Sequence, residues 1–358
     1  MKKELFILSV VVAFSLLTYW LVEPFAHSQM HPHVESEGFQ YNGSSDIAEV
    51  DNKIANIRKE LDANMKKTES GVAVKDVKKL AMLTADMKTA EERRDTKKAF
   101  WADVERIAKL KGDAVAGEAT YDAGCTGCHF GGSVSMGGVV PPDLETSGAL
   151  YDRNYLIGLI KDPAMASNVD HKFSIVRSHQ MDSVKYMVTE DQDIVNVIAY
   201  LQKIAPKQED ITPKIAFEDA CGRCHDVRYN NWTIIGTKPN FKDKRDEMAF
   251  DIKHLDAQEG ITGYMGKLPP DLSMYIRSRG EHYISVFMED PQQLLLGTSM
   301  PRVGINAESA EKVLAYLEEA GDPKAEERNR IGMYVMIYMI FFIIVAFLWK
   351  KQIWKDLH

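Results

Sequence analysis

Two stretches of the sequence share one pattern: Cys125-Thr126-Gly127-Cys128-His129 and Cys221-Gly222-Arg223-Cys224-His225. They contain all 4 cysteines of the 358-residue chain, which leaves none for a disulfide or a cysteine-ligated zinc site. Cys-x-x-Cys-His is the attachment motif of haem c, in which both thiols bind the haem and the histidine becomes an axial iron ligand. A single Cys-x-x-Cys would also fit a redox dithiol or half of a zinc site. Because the complete motif occurs twice, we predict two covalently bound haem c groups.

The sequence around the two motifs repeats as well, which predicts two similar domains. An aromatic residue, Tyr121 or Phe217, lies four positions before each first cysteine. Three further pairs recur in the same order: Pro141-Pro142-Asp143-Leu144 with Pro269-Pro270-Asp271-Leu272, Asp162-Pro163 with Asp290-Pro291, and Ala199-Tyr200-Leu201 with Ala315-Tyr316-Leu317. The haem motifs are 96 residues apart and the Pro-Pro-Asp-Leu copies 128 apart, so the second unit carries 32 additional residues between them.

These repeats predict the division of the chain into domains. We expect a first haem domain at residues 113–205 and a second at residues 213–322, with a linker from Lys203 to Pro213. Each unit is small for an independent hydrophobic core, and a bound haem would supply a large apolar nucleus.

A charged segment at residues 44–112 differs from the haem units. Apolar residues recur there at helical spacing among many Lys, Glu and Asp residues: Ile47, Val50, Ile54, Ile57 and Leu61, then Val74, Val77, Leu80 and Leu83, and later Trp101, Val104 and Ile107. The break at Glu69-Ser70-Gly71 predicts a helical hairpin. The hairpin could dock a partner or act as a rigid spacer, since charged helix faces are usually just solvated.

Two apolar stretches flank the rest of the chain. Leu5 to Val22 follows Lys2 and Lys3, and Ile331 to Trp349 precedes Lys350 and Lys351. As helices they would measure about 27–29 Å, close to the thickness of a bilayer core. No clear cleavage site follows the first stretch, so we predict an uncleaved signal anchor at residues 1–26 rather than a cleaved signal peptide, and a second transmembrane helix at residues 329–351.

The lysines beside both apolar stretches predict the orientation. The positive-inside rule places both termini in the cytoplasm and the haem domains on the other side, which in a bacterium is the periplasm. The formal net charge of −8 argues against nucleic-acid binding and is compatible with a basic soluble partner, although ordinary solubility explains it equally well. His27, His31 and His33 could bind a metal, but they could also simply lie at the membrane interface. No nucleophile–base pair, phosphate loop or carboxylate dyad stands out.

The two haem units resemble class I cytochromes c over roughly residues 114–320. In that family an N-terminal helix carrying an aromatic residue crosses a C-terminal helix, which here ends in Ala-Tyr-Leu. The resemblance implies that the carbonyl groups of Pro142 and Pro270 accept a hydrogen bond from the imidazoles of His129 and His225. Such a bond fixes the tautomer and orientation of a ligated histidine.

The sixth iron ligand in this family is usually a methionine, whose thioether raises the reduction potential. Met300-Pro301 matches the family pattern, which implies Met300 as the ligand in the second domain. In the first domain the spacing to the last helix favours Met181, with Met187 second, and Met165 lies too close to Pro163. Two histidines remain as alternatives, His179 and His171.

The second domain also resembles cytochrome c1, the haem subunit of quinol:cytochrome c reductases (bc1 complexes). The resemblance rests on Lys267 to Ser273, on Tyr275 to Gly280 and on the single transmembrane helix after the haem domain. Glu23 to Ser28 and the tail from Lys350 to His358 add to it. We therefore expect a mainly α protein with two tandem class I cytochrome c domains, preceded by a helical hairpin and flanked by one transmembrane helix at each end.

The resemblance implies an electron-transfer subunit of the enzyme complex without catalytic residues of its own. Its partners would be the cytochrome b and Rieske iron–sulfur subunits of a dimeric complex, and a soluble cytochrome c or terminal oxidase. The second haem would receive electrons from the Rieske protein and the first would deliver them outward. Arg277 and Arg279 could pair with haem propionates or a partner, or simply be solvated. The alternatives are the di-haem subunit of a cbb3-type oxidase and, from another class, a di-haem cytochrome c peroxidase.

Overall fold

A computed structural model describes residues 2–22, 25, 34–69, 75–129, 140–173 and 179–355, which are mainly helical. Several residues discussed above lie outside these ranges: His27, His31, His33, Val74 and the C-terminal residues 356–358. Within the described residues the strands are limited to one short antiparallel pair, Trp232–Thr233 with Gly236–Thr237.

One helix among the described residues is long and apolar enough to cross a membrane, at Arg330–Lys355. It belongs to a longer helix at Ala325–Lys355, and its apolar side chains are exposed. The N-terminal stretch also forms a helix, α1 (Lys2–Leu17), which continues as a π-helix at Thr18–Val22. Its apolar part, Phe6–Val22, is shorter than the candidate span at Arg330–Lys355. An N-terminal membrane span therefore stays a prediction.

Two long helices, α2 (Ser44–Glu69) and α3 (Lys75–Ala108), occupy the charged segment and pack on each other. Val50, Ile54 and Ala90 form a small apolar cluster between them. The C-terminal part of α3 is different, because Trp101, Val104 and Ile107 are fully buried in the main hydrophobic core. The C-terminal part of the hairpin formed by α2 and α3 is thus packed onto the units that carry the two Cys-x-x-Cys-His motifs.

The first haem unit consists of short helices around one crossing pair. Its helices are α4 (Ala114–Gly124), α5 (Thr126–His129), α6 (Ser147–Leu150), α7 (Arg153–Lys161), α8 (Pro163–Ala166), α9 (Val184–Met187) and α10 (Asp191–Ile204), with 3-10 turns at Asp170–Lys172 and Gln180–Ser183. Asp113 caps α4 by accepting a hydrogen bond from Val115 N. A Cβ on Gly117 would lie 1.9 Å from Asn196 O, so α4 and α10 cross in direct backbone contact. The rings of Tyr121 and Tyr200 lie 5.1 Å apart at this crossing.

The second haem unit has the same crossing pair. Its helices are α11 (Pro213–Ala220), α12 (Lys244–Met265), α13 (Tyr275–Arg279), α14 (Glu281–Glu289), α15 (Pro291–Leu294) and α16 (Ala307–Gly321), followed by the apolar helix α17 (Ala325–Lys355); 3-10 turns occur at Gln208–Asp210 and Arg228–Asn230. Phe217 on α11 stacks on Tyr316 on α16 with ring centroids 4.5 Å apart. The additional residues of this unit form the short strand pair and α12.

One hydrophobic core runs through both haem units and the end of the hairpin. Leu150, Ile157 and Ile198 contribute from the first unit, and Phe217 and Leu317 from the second. The loop after Met300 adds Ile305, which forms an isolated β-bridge with Tyr151. The two units therefore share buried apolar surface, and each unit depends on the other for part of its core.

Candidate haem sites

The first Cys-x-x-Cys-His motif begins where α4 ends. Cys125 caps α4, with its N–H bonded to Tyr121 O, and the chain then turns through α5 so that His129 faces the Pro141–Leu144 loop. Nδ1 of His129 lies 2.8 Å from the carbonyl oxygen of Pro142. A carbonyl can only accept a hydrogen bond, so Nδ1 must be the donor and the lone pair of Nε2 is free to bind iron.

The second motif repeats this geometry. Cys221 caps α11 through its bond to Phe217 O, and Nδ1 of His225 lies 2.8 Å from Pro270 O. Burial lowers the pKa of both histidines, although each carbonyl contact opposes the shift. The neutral imidazole is the form that binds a metal ion.

Burial raises the pKa of three of the four thiols, Cys125, Cys221 and Cys224. None forms a disulfide. Burial raises the pKa of Cys125 to about 11 and that of Cys221 to about 12, with the neighbouring motif cysteine adding to the shift. Thiol–disulfide exchange requires a thiolate, which catalytic cysteines obtain by a lowered pKa. The redox-dithiol alternative is therefore disfavoured at both motifs.

A network of polar side chains beside His225 was not predicted from the sequence. The Asp226 carboxylate accepts hydrogen bonds from Ile234 N (2.9 Å) and from Gln258 Nε2 (2.9 Å), and lies 3.1 Å from His254 Nε2. Asp226 O also accepts from Leu272 N, in the loop that carries Pro270. This network holds the additional helix α12 against the second haem motif. Asp226, His254 and Gln258 do not form a recognisable sequence motif, so the sequence alone could not identify this network.

Arg223 connects the two sites. It lies between the cysteines of the second motif, and one of its Nη atoms lies 3.4 Å from Val140 O, just before the Pro141–Leu144 loop of the first unit. Its positive charge also contributes to the lowered pKa of His129, after burial. Its Nε is buried without a hydrogen-bond partner among the described residues. The second haem motif thus directly contacts the loop that orients the proximal histidine of the first.

The candidate sixth ligands lie in different surroundings. Met181 packs against the main hydrophobic core, as does Met165. Met187 is half exposed, and its Cβ is near the position that a Cβ on Gly124 would take, next to the first haem motif. The ring of His179 accepts a hydrogen bond from Met181 N through Nδ1, and His171 is exposed. These surroundings do not decide between the candidates, so Met181 stays the predicted ligand, with Met187 second.

Met300 is partly buried in the loop between α15 and α16. Its N–H donates to Thr298 Oγ1 at 3.3 Å. The residue after Pro301 is Arg302, whose side chain is almost completely buried in an ion-pair cluster with Asp46 and Asp290. Of the two arginines considered for haem propionates, a partner or solvent, Arg279 lies over the ring of Tyr283 and Arg277 lies near Asp322, which caps the C-terminus of α16.

The residues at both motifs fit haem c. Each motif offers two thiols outside any disulfide and one imidazole in the iron-binding tautomer. Arg223 Nε, which has no hydrogen-bond partner among the described residues, is available to a further acceptor beside them. Cys125, Cys128 and His129 would hold one haem, and Cys221, Cys224 and His225 the other. Among the described residues there is no cluster of three or more His, Cys, Asp or Glu side chains for a separate metal ion.

Comparison with known proteins points to the same cofactor. Residues 114–205 match the cytochrome c family, and residues 304–357 match the cytochrome c1 family. Cytochrome c1 of Allochromatium vinosum is 49% identical over 43 residues, which cover 12% of this chain and 18% of that protein. The ammonia monooxygenase gamma subunit of Nitrosomonas europaea is 22% identical over 194 residues, covering 40% of this chain and 80% of that protein. No solved structure matches. The family matches support a c-type cytochrome with covalently bound haem and a role in electron transfer.

Proposed function

We propose that this c-type cytochrome is the membrane-anchored di-haem electron-transfer subunit of a quinol:cytochrome c reductase. It would carry one haem c in each of two tandem class I cytochrome c domains, at residues 113–205 and 213–322. The observation that carries the proposal is the cytochrome c1 match at residues 304–357. This match covers the last helix of the second haem unit together with the membrane helix α17, so it joins a haem domain and an anchor in the order found in cytochrome c1.

A second haem domain is supported by geometry that the two motifs share. The cytochrome c match covers the first unit alone. The second unit nevertheless has the same 2.8 Å contact between a motif histidine and a proline carbonyl. It also has the same aromatic contact between the helix before the motif and the last helix.

Bound haem would supply a one-electron redox centre at each motif. The residues of the chain would then fix the properties of the two centres. Pro142 and Pro270 hold the motif histidines in the ligating tautomer, while Met181 and Met300 would be the thioether ligands on the other side of the iron. The contact of Arg223 with Val140 O joins the second motif to the residue before the Pro141–Leu144 loop, which supports direct electron transfer between the two haems.

The order of transfer that we propose runs from the second haem to the first. The c1-like residues and the anchor lie at the C-terminal end, so the second haem would accept electrons from a Rieske iron–sulfur protein. The first haem would then reduce a soluble cytochrome c or a terminal oxidase. The anchors would place the haem domains in the bacterial periplasm and both termini in the cytoplasm.

The proposal predicts which proteins accompany the chain in the membrane. The full chain, tagged at its C-terminus, should be purified from detergent-solubilised membranes and its partners identified by mass spectrometry. A cytochrome b and a Rieske protein at equal stoichiometry are the expected partners. A haem–copper oxidase in their place would support the cbb3-type alternative, and an ammonia monooxygenase would extend the likeness to the gamma subunit.

The peroxidase alternative is tested by spectroscopy on the same preparation. A di-haem peroxidase needs one haem with an open or weakly held position for peroxide. Six-coordinate, low-spin spectra for both haems are expected here, because each unit offers a methionine as a candidate sixth ligand. A five-coordinate, high-spin ferric haem would instead support the peroxidase.

A further inference from the structure

The loop that follows Met300 is held mainly by residues outside its own haem unit. Arg302 N donates to Ser167 O at 2.9 Å, and Tyr155 Oη donates to Arg302 O at 3.0 Å. Further along the loop, four atoms pair with the first unit or the N-terminal segment: Gly304 O with Asp152 N, Ile305 O with Tyr41 Oη, Asn306 N with Leu150 O, and Asn306 Nδ2 with Ala149 O. The predicted ligand loop of one haem unit is therefore fixed by its neighbours.

The Arg302 side chain extends this attachment to the hairpin. Its Nη2 donates to Asp46 Oδ1 and, at 2.7 Å, to Asp290 Oδ2. Arg302, Asp46 and Asp290 are 2%, 0% and 1% exposed. Asp46 belongs to the first turn of α2, whereas Asp290 precedes α15 in the second unit. The guanidinium group also lies 5.9 Å from the ring centroids of Tyr41 and Trp101.

The far side of Asp46 is occupied by α3 of the hairpin. Trp101 Nε1 donates to Asp46 Oδ2 at 2.8 Å, and Lys97 Nζ lies 3.5 Å from the same oxygen. Lys97 in turn donates to Asn168 Oδ1 at 2.5 Å, and Asn168 Nδ2 contacts Asp290. The cluster thus contains two buried cations, Lys97 and Arg302, and two buried anions, Asp46 and Asp290. Asn168 of the first unit forms hydrogen bonds with both Lys97 and Asp290.

Such a cluster cannot lose one member without consequence. A buried charge whose partner is removed is left without compensation and away from water, so the groups around it must rearrange. Asp46 and Lys97 lie in helices, whereas Arg302 lies in the loop that carries Met300. Its position is two residues from Met300, so a shift of Arg302 must be transmitted to Met300 through Pro301 alone.

We propose that Asp46 and Arg302 are positioning residues for Met300, and that the hairpin is a clamp on the ligand loop of the second haem. The inference rests on the proposed function, since it takes Met300 as an iron ligand. With the clamp closed, Met300 would be held where its thioether could bind the iron of a bound haem, a ligand that favours the reduced state. Removal of the Asp46 charge would loosen the loop and lower the reduction potential of the second haem. The first haem would be unaffected.

The test compares two Asp-to-Asn variants in the hairpin of the full, detergent-purified chain. Asp46→Asn removes the charge that holds Arg302. Asp103→Asn is the control: Asp103 also pairs the hairpin with the first unit, through Lys161, but it does not contact the Met300 loop. Trp101→Phe is a milder variant that removes one hydrogen bond to Asp46 and keeps an aromatic ring in place. Met300→Ala identifies the signals of the second haem.

Three properties are measured for each variant: the absorption band of methionine-ligated ferric haem, the potentiometric titration of the two haems, and carbon monoxide binding to the reduced protein. We expect Asp46→Asn to weaken the band and lower the potential of the haem that Met300→Ala identifies, and to let that haem bind carbon monoxide. Trp101→Phe should shift the same haem by less, and Asp103→Asn should match wild type.

The outcomes separate the clamp from the function on which it rests. If Met300→Ala alters the second haem while Asp46→Asn and Trp101→Phe, both folded by circular dichroism, leave it unchanged, the clamp is wrong and the ligand assignment stands. If Met300→Ala leaves both haems unchanged, the ligand assignment fails and the clamp fails with it. Equal shifts of both haems in Asp46→Asn would indicate general loosening and would also contradict the clamp.

Discussion

Nδ1 of His225 lies 2.8 Å from the carbonyl oxygen of Pro270, and the same distance separates His129 from Pro142. The motif histidines of the two candidate sites therefore have equivalent carbonyl partners. Differences between the two centres must arise elsewhere, from the sixth ligand and from the surrounding charges. The second site has a buried ion-pair cluster next to its ligand loop and a carboxylate network around Asp226. The first has Arg223 beside its proline loop.

The number of haems can be tested at the cysteines. Replacing Cys221 and Cys224 by serine should remove one of two covalent haems, because serine forms no thioether with the haem vinyl groups. Replacing Cys125 and Cys128 should remove the other. The intact mass and the haem-to-protein ratio of each purified variant measure the loss. A wild-type chain with a single covalent haem would contradict the di-haem proposal.

The sixth ligand of the first haem is tested by a pair of methionine variants. Met181→Ala should abolish the methionine–iron band of one haem and lower its potential, since the thioether ligand raises the potential. Met187→Ala should leave both haems unchanged. Spectra and potentiometric titrations of the two variants decide between these methionines. The opposite result would assign Met187, and no effect from either would favour His179 or His171.

Two glycine substitutions should change stability in opposite directions, one at the helix crossing of the first unit and one on α12. A Cβ on Gly117 would lie 1.9 Å from Asn196 O, so Gly117→Ala should destabilise the protein by about 1–3 kcal/mol through overpacking. Gly263 on α12 has no neighbour within 4 Å of an added Cβ, so Gly263→Ala should stabilise it by roughly 0.5–1 kcal/mol. Melting temperatures of the two variants measure both effects. A stabilising Gly117→Ala would contradict the close crossing of α4 and α10.

The buried cluster predicts a dependence of stability on pH. Burial alone would raise the pKa of Asp46, but the nearby Arg302 and Lys97 charges lower the pKa below its ordinary value. Because this pKa is lower in the folded state, the Asp46 charge stabilises the protein fully above the unfolded-state pKa, and the stabilisation is lost as the pH falls through the folded-state pKa. Asp46→Asn should therefore cost about 3–5 kcal/mol at neutral pH. The gap between wild type and variant should narrow below about pH 4. Melting temperatures from pH 7 to pH 3 test this, and a constant gap would contradict it.

The two anchors can be tested by deletion. A chain without residues 331–358 should remain in the membrane if the N-terminal stretch is an uncleaved anchor. A chain with residues 1–26 replaced by a cleavable signal should also remain, through α17, and only the combined variant should become soluble. Fractionation of membranes and periplasm measures all three. Release by the C-terminal deletion alone would show that the first stretch is a cleaved signal peptide.

The local features of the haem units were largely predictable. Repeated short patterns located the aromatic residues that meet at each helix crossing and the prolines that face the motif histidines, because these contacts depend on residues close to the motifs. The helical hairpin also followed from periodicity, since α2 and α3 cover the two apolar patterns.

Long-range polar contacts were not predictable in this way. Asp46 and Arg302 are far apart in the sequence, and each looks like an ordinary surface charge, one in the first turn of a helix and one after a proline. Trp101 and Lys97 carry no local sign that they meet Asp46. Asp226 contacts His254, which lies on α12. Among its described residues the first unit has no helix equivalent to α12, so the position of this helix could not be inferred from the repeat. The docking of the hairpin thus required the three-dimensional structure.

In the proposed function, electrons from quinol reach two haems on this one chain. The most direct measurement is the reduction of the purified membrane complex by quinol in a stopped-flow spectrometer, with the haem c absorbance compared with full chemical reduction. We expect quinol to reduce both haems of the chain, and we expect omission of the Rieske protein to abolish this reduction. A complex in which quinol reduces neither haem, while chemical reductants reduce both, would contradict the proposed function.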